Sequence, residues 1–153
     1  MSNFAMNMDF DGFYEATMLL YDATGVVNGI PSNVELVAPL VVNGCFCIEV
    51  GLKYLIDKQG GSRRGHDLKK LFNWLDQADR DSIHDYISQY HKDPTKYHSW
   101  FDNEIEVLKN GFVSWRYFYE QQGTPTATVG VVNSVTANLT FLKRLCDGIK
   151  SII

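Results

Sequence analysis

CFCIEVGLKYLIDKQGGSRRGHDLKKLFNW, Cys45 to Trp74, decides the fold. It reads as the second half of a buried helix, a turn of glycine and arginine, and a helix opened by His66-Asp67-Leu68. From Leu36 to Ile56 almost every residue is apolar or small, and a helix without a polar face is either buried or membrane-spanning. The uncharged run Leu36 to Ile48 is shorter than the roughly 18 residues a span needs, and it contains Pro39, Asn43 and Gly44. The expectation is therefore the central helix of a bundle and no membrane partner, with Gly44 and Gly51 admitting close neighbours.

Glu49 is the only charge between Glu35 and Lys53. A buried carboxylate needs a partner, and two are open: Lys53, four residues on in the favourable order, or a cation from another helix. Lys58 sits in the last turn and Gly60-Gly61 supply a left-handed stop. Asp67 suits the N-cap of a helix from Leu68 to Leu75, with His66 beside that helix's positive end.

The chain has 153 residues, 45% hydrophobic and 13% aromatic, with net charge -4. These values fit one packed domain over residues 1–153. The acidic balance argues against a broad electrostatic grip on nucleic acid and leaves only a local basic turn, Arg63-Arg64. Cys45, Cys47 and Cys146 lie in apolar runs and read as reduced core thiols of a cytoplasmic protein. MSNFAMNMDF has neither the basic start nor the apolar core of a signal peptide.

Phe10 to Thr24 reads as a helix ended by Gly25. Ser32-Asn33-Val34-Glu35 has capping-box spacing ahead of the central helix, and Pro39 either kinks that helix or marks its first turn. Asp79-Arg80-Asp81-Ser82 opens a further helix with Ile83, Tyr86, Ile87 and Tyr90 in its stripe. Ser99-Trp100-Phe101-Asp102 opens another, from about Asn103 to Gln121, with Ile105, Leu108, Phe112, Trp115 and Tyr119 inward. Val132, Val135, Leu139, Leu142, Cys146 and Ile149 space a last helix from about Thr128 to Ser151. No stretch alternates as a strand, so the fold class is all-α, an up-and-down helical bundle of five to six helices.

Glu49 and Lys53 on an apolar helix, a glycine turn, and then Gly65-His66-Asp67-Leu68-Lys69-Lys70-Leu71-Phe72 resemble the HEPN superfamily (higher eukaryotes and prokaryotes nucleotide-binding). Trp115-Arg116-Tyr117-Phe118-Tyr119-Glu120 resembles the penultimate helix of such proteins. The resemblance implies a helical-bundle homodimer in host defence or a toxin–antitoxin system, beside a nucleotidyltransferase-type protein partner. Active members are metal-independent RNases that pair an Arg with a following His across the dimer. Here the positions that would follow Arg116 hold Gln121, Gln122 and Gly123, and Arg80 and His84 stand closer together than the motif. The expectation is an RNA- or nucleotide-associated module that is non-catalytic or weakly catalytic, without cofactor or metal. A divergent RNase using Arg116 with His66 is the alternative, and a pure interaction module is a third.

The charges that carry these readings are Glu49, Lys53, Arg63, Arg64, His66, Asp67, Arg116 and Glu120. In a ligand site, Lys53, Arg63, Arg64, His66, Asp67 and Arg116 surround a phosphate. In a structural role, Arg116 ties its helix to the central one through Glu49 as a bidentate pair, or pairs with Glu120 one turn on. His84, His91 and His98 recur every seven residues, but Pro94 interrupts them, so they read as surface histidines. Tyr86, Tyr90, Tyr97, Trp100 and Phe101 at helical spacing read as core before base-stacking platform, and Asp76, Asp79, Asp81 and Asp85 as a solvated face.

Overall fold

The computed structural model describes residues 3–109 and 138–153. Within them lie six α-helices: α1 (Asn3–Thr24), α2 (Val37–Lys58), α3 (Leu68–Asn73), α4 (Gln77–Ser88), α5 (Tyr97–Leu108) and α6 (Leu139–Lys150). One 3-10 turn, Val34–Leu36, precedes α2. The only β-type pairing among the described residues is an isolated bridge between Val27 and Ile30. The fold is an all-α helical bundle, as the periodicity predicts.

α2 is the axis of the bundle, packed on α1, α3 and α6. By length and composition Val34–Lys58 is apolar enough to cross a membrane, but half of its apolar window is buried inside the fold. The two glycines do what their positions predict. A Cβ on Gly44 would lie 2.8 Å from Leu142 of α6, and one on Gly51 would lie 2.6 Å from Ile149 and 2.7 Å from Phe10. Asn43 ties α2 to α1, its Nδ2 donating to the Phe13 carbonyl at 3.0 Å and to Thr17 Oγ1 at 2.8 Å. Cys45, Cys47 and Cys146 are free and buried. Burial pushes the Cys45 thiol up to about 12, so it is no ready nucleophile.

Several helix starts differ from the sequence expectation. α1 begins at Asn3 rather than Phe10, because no glycine or proline stands before Phe10 to stop it. The Ser32–Glu35 capping box does not form: Ser32 Oγ donates to the Gly25 carbonyl and Asn33 Nδ2 to the Ala23 carbonyl. Both side chains thus fasten the α1–α2 turn. Pro39 falls in the first turn of α2, where its missing N–H leaves no helical bond unmade. α4 is capped by Asp76, which accepts from the Asp79 amide, and not from Asp79 onward. α5 starts at Tyr97, so Ser99 lies inside the helix and caps nothing. α6 does not run continuously from Thr128, because Asn138 is extended and caps it by accepting from the Phe141 amide at 2.9 Å. Ile105, Leu108, Leu139, Leu142, Cys146 and Ile149 are buried as their spacing predicts. Phe112, Trp115, Tyr119, Val132 and Val135 lie outside the described residues.

The loop between α2 and α3 is closed at both ends. The Gly60 amide donates to Asp57 and the Gly61 amide to Ile56, the paired bonds of a Schellman stop. Gly60 alone takes the left-handed conformation there, at φ 82°. The Asp67 carboxylate accepts from the Lys70 amide at 3.0 Å, the predicted cap. The Leu68 amide donates to the Lys109 carbonyl at 2.8 Å, which joins the start of α3 to the end of α5.

Thr17, Thr24, Glu49 and Asp147 are the buried polar or charged side chains among the described residues. Asp147 on α6 accepts from the Tyr14 hydroxyl and from Lys143 Nζ, each at 2.7 Å. Burial and this carboxylate hold the Tyr14 hydroxyl protonated far above its ordinary range. The sequence signal was present, an Asp one turn after Lys143 inside an apolar helix.

The three histidines are not a simple surface set. His84 is half-buried, shares a 2.9 Å hydrogen bond with Tyr97, and meets the Phe101 ring at 4.5 Å and the His98 ring at 5.1 Å. Burial first, then His98, lowers the His84 pKa below its ordinary 6.5. The unfolded chain therefore binds the proton more readily, and the stability owed to neutral His84 is complete above the ordinary value and lost as pH falls toward the folded one. The melting temperature is expected to fall more steeply in the wild type than in His84→Gln between about pH 7 and about pH 5.5. Equal slopes would assign the acid sensitivity elsewhere.

Candidate functional site

The site forms where the α2–α3 loop folds back along α2. Glu49 points into the protein and is 3% exposed. Lys53, one turn later, places Nζ 2.7 Å from Glu49 Oε1, the local pair that the spacing predicts. Glu49 also has a partner that spacing did not reveal. His66 Nδ1 lies 2.9 Å from Oε1 and 3.0 Å from Oε2. A carboxylate paired with Lys53 only accepts, so the His66 form that fits carries its proton on Nδ1.

The backbone delivers His66 to this position. α2 stops at Gly60, Gly65 turns the chain at φ 98°, and the Asp67 cap fixes the next helix. A side chain at Gly65 would meet nothing within 4 Å, so its requirement is conformational and not steric. His66 is 55% exposed on the side-chain scale, and its ring bridges the buried carboxylate and the surface. A carboxylate-oriented imidazole is the arrangement that positions a general acid or base.

Lys53 stands at the junction of two hollows. One of about 420 Å³ includes Asp9, Phe13, Phe46, Glu49 and Lys53. The other, of about 200 Å³, includes Lys53, Asp57, Ser62 and Arg63. They share Met6 and Lys53 as a common wall. The Arg63 guanidinium lies 4.8 Å from the centre of the Trp74 ring, a cation–π contact that holds it beside the turn. Arg64 is exposed on the same turn. Asp9 lines the first hollow and Asp57 the second, so each holds a carboxylate as well as Lys53.

Of the predicted site residues, the structure brings Glu49, Lys53 and His66 into contact and places Arg63 at the edge of the adjoining hollow. Asp67 is engaged by its helix cap. Arg116 and Glu120 lie outside the described residues, as does any tie from Arg116 to Glu49. The Glu49–His66 contact has one retrospective signal: Glu49 precedes the Gly60 stop along a helix and His66 follows it in a loop, whose longer rise per residue lets a shorter stretch double back level with Glu49. Among the described residues no group of three or more His, Cys, Asp or Glu side chains is placed to hold a metal ion.

No protein-family model, no curated protein and no solved structure matches this chain.

Proposed function

We propose that this chain is an HEPN-like module that associates with RNA or a nucleotide through the α2–α3 turn, working in the cytoplasm as a homodimer in a defence or toxin–antitoxin setting beside a nucleotidyltransferase-type partner. The observation that carries this reading is the grouping of Lys53 and His66 on one buried carboxylate, with Arg63 at the rim of the adjoining hollow. A phosphate entering there meets cations whose positions are already fixed by Glu49 and Trp74. Asp9 and Asp57 oppose that charge, so affinity is modest and rests on few phosphate contacts.

Binding of a short single-stranded RNA, followed by fluorescence anisotropy over a salt series, tests the reading. Each phosphate contact on a single strand contributes roughly 0.7 to the slope of log affinity against log salt. Neutralising Arg63 and Arg64 to Gln together is expected to lower that slope by about 1.4 and weaken binding at low salt. An unchanged slope and affinity would remove the turn from the binding surface.

The Glu49–His66 contact favours a second reading, a divergent metal-independent RNase. RNA cleavage would then survive chelator and fall by about 10²–10⁴-fold in His66→Ala, where acid–base catalysis is lost. Full cleavage by His66→Ala would take His66 out of the mechanism.

A further inference from the structure

Between α5, α6 and the turn after α4 lies a separate open hollow of about 210 Å³. Four of its lining residues are aromatic: Tyr90 and His91 from the turn after α4, Trp100 from α5 and Phe141 from α6. Trp100 meets Phe141 edge-on at 5.4 Å and His91 at 4.8 Å, which fixes its ring plane. Among the described residues the charge in this hollow comes from Arg144, and none of those that line it is a carboxylate. That is notable in a chain of net charge -4.

Arg144 is held rigidly and under-used. Its Cζ sits 3.7 Å from the centre of the Tyr90 ring, a stacking distance that sets the guanidinium plane. Its Nε is buried and meets no hydrogen-bond acceptor among the described residues. The carboxylate one turn along its helix, Asp147, is already occupied by Tyr14 and Lys143.

We propose that this cavity binds a small planar aromatic carboxylate. The ring system packs among Trp100, Phe141 and His91, and the carboxylate takes one N–H from each Nη of Arg144, the end of the guanidinium that is not sealed in the fold. Arginine offers that planar fork and lysine does not. Size decides against a nucleotide, because drug-sized ligands occupy roughly 300–1,000 Å³ and this cavity is smaller. The site shares no residue with Glu49, Lys53 or His66 and does not depend on their role.

Isothermal titration of the whole protein with 2-naphthoate, and with 2-naphthamide as its neutral counterpart of the same shape, tests the assignment. The acid is expected to bind at least tenfold more tightly than the amide. Arg144→Lys, which keeps the charge over Tyr90 but loses the fork, is expected to weaken the acid tenfold or more, and Trp100→Leu to weaken both probes. Circular dichroism confirms that each variant is folded. Failure of the wild type to bind 2-naphthoate would overturn the proposal. So would equal affinity for acid and amide, or binding that folded Arg144→Lys and Trp100→Leu leave unchanged.

Discussion

Phe101→Ala is expected to destabilise the protein by about 3–5 kcal/mol, the usual cost of deleting a buried ring. Native stability is on the order of 5–15 kcal/mol, so the variant would sit near the edge of folding. The ring is 1% exposed and joins three other helices to α5. It meets Phe72 of α3 at 5.0 Å, His84 of α4 at 4.5 Å and Phe141 of α6 at 5.4 Å. A neighbour that moved to fill the void would leave its own helix unsupported, so little collapse offsets the loss. Denaturant unfolding checks this through a lower midpoint at constant slope. A change below about 1 kcal/mol would mean the surrounding rings close the gap.

Gly51→Ala is expected to cost a net of about 1–2 kcal/mol. Two effects oppose. Alanine is the better helix residue by roughly 0.5–1 kcal/mol, while forcing a methyl into a packed core costs typically about 1–3 kcal/mol. The second wins because the groups in the way, Ile149 and Phe10, are themselves fully buried and have nowhere to move. Gly12 supplies the opposite case: it is exposed on α1, and an added Cβ meets nothing within 4 Å. Gly12→Ala is expected to stabilise by roughly 0.5–1 kcal/mol. Thermal melts of the two variants should therefore shift in opposite directions. A raised melting temperature for Gly51→Ala would show that α1 and α6 can draw back from α2.

Interior patterns were legible in the sequence, and helix ends were less so. The apolar period of α2 and the glycines at 44 and 51 foretell the central helix and its close neighbours. Capping signals are ambiguous because Ser, Asn and Asp serve turns as readily as helix starts. Ser32 and Asn33 spend their hydrogen bonds on the preceding turn, and Ser99 falls within a helix that Tyr97 begins. Asp67 reads correctly because glycines isolate it from any competing turn.

The candidate site was half legible. Lys53 follows Glu49 at helical spacing, which one-dimensional periodicity reports directly. His66 reaches Glu49 only through the path of the loop, set by Gly60 and Gly65, and backbone direction is not written in any residue pattern. Arg144 beside Tyr90 was hidden for the same reason: one lies on α6 and the other in the turn after α4, and their stacking depends on how those elements pack.

The bond from the Leu68 amide to the Lys109 carbonyl gives the His66 loop a mechanical connection. One hydrogen bond serves an orphan donor of the first turn of α3 and an orphan carbonyl at the end of α5. Glu106 reinforces it, accepting from Lys109 and from Lys69, which together hold its carboxyl well below the usual range. A displacement at the end of α5 therefore pulls on the residue two places from His66. The imidazole that meets Glu49 is thus geared to the end of α5, and slow exchange of the Leu68 amide would register whether the gear is engaged.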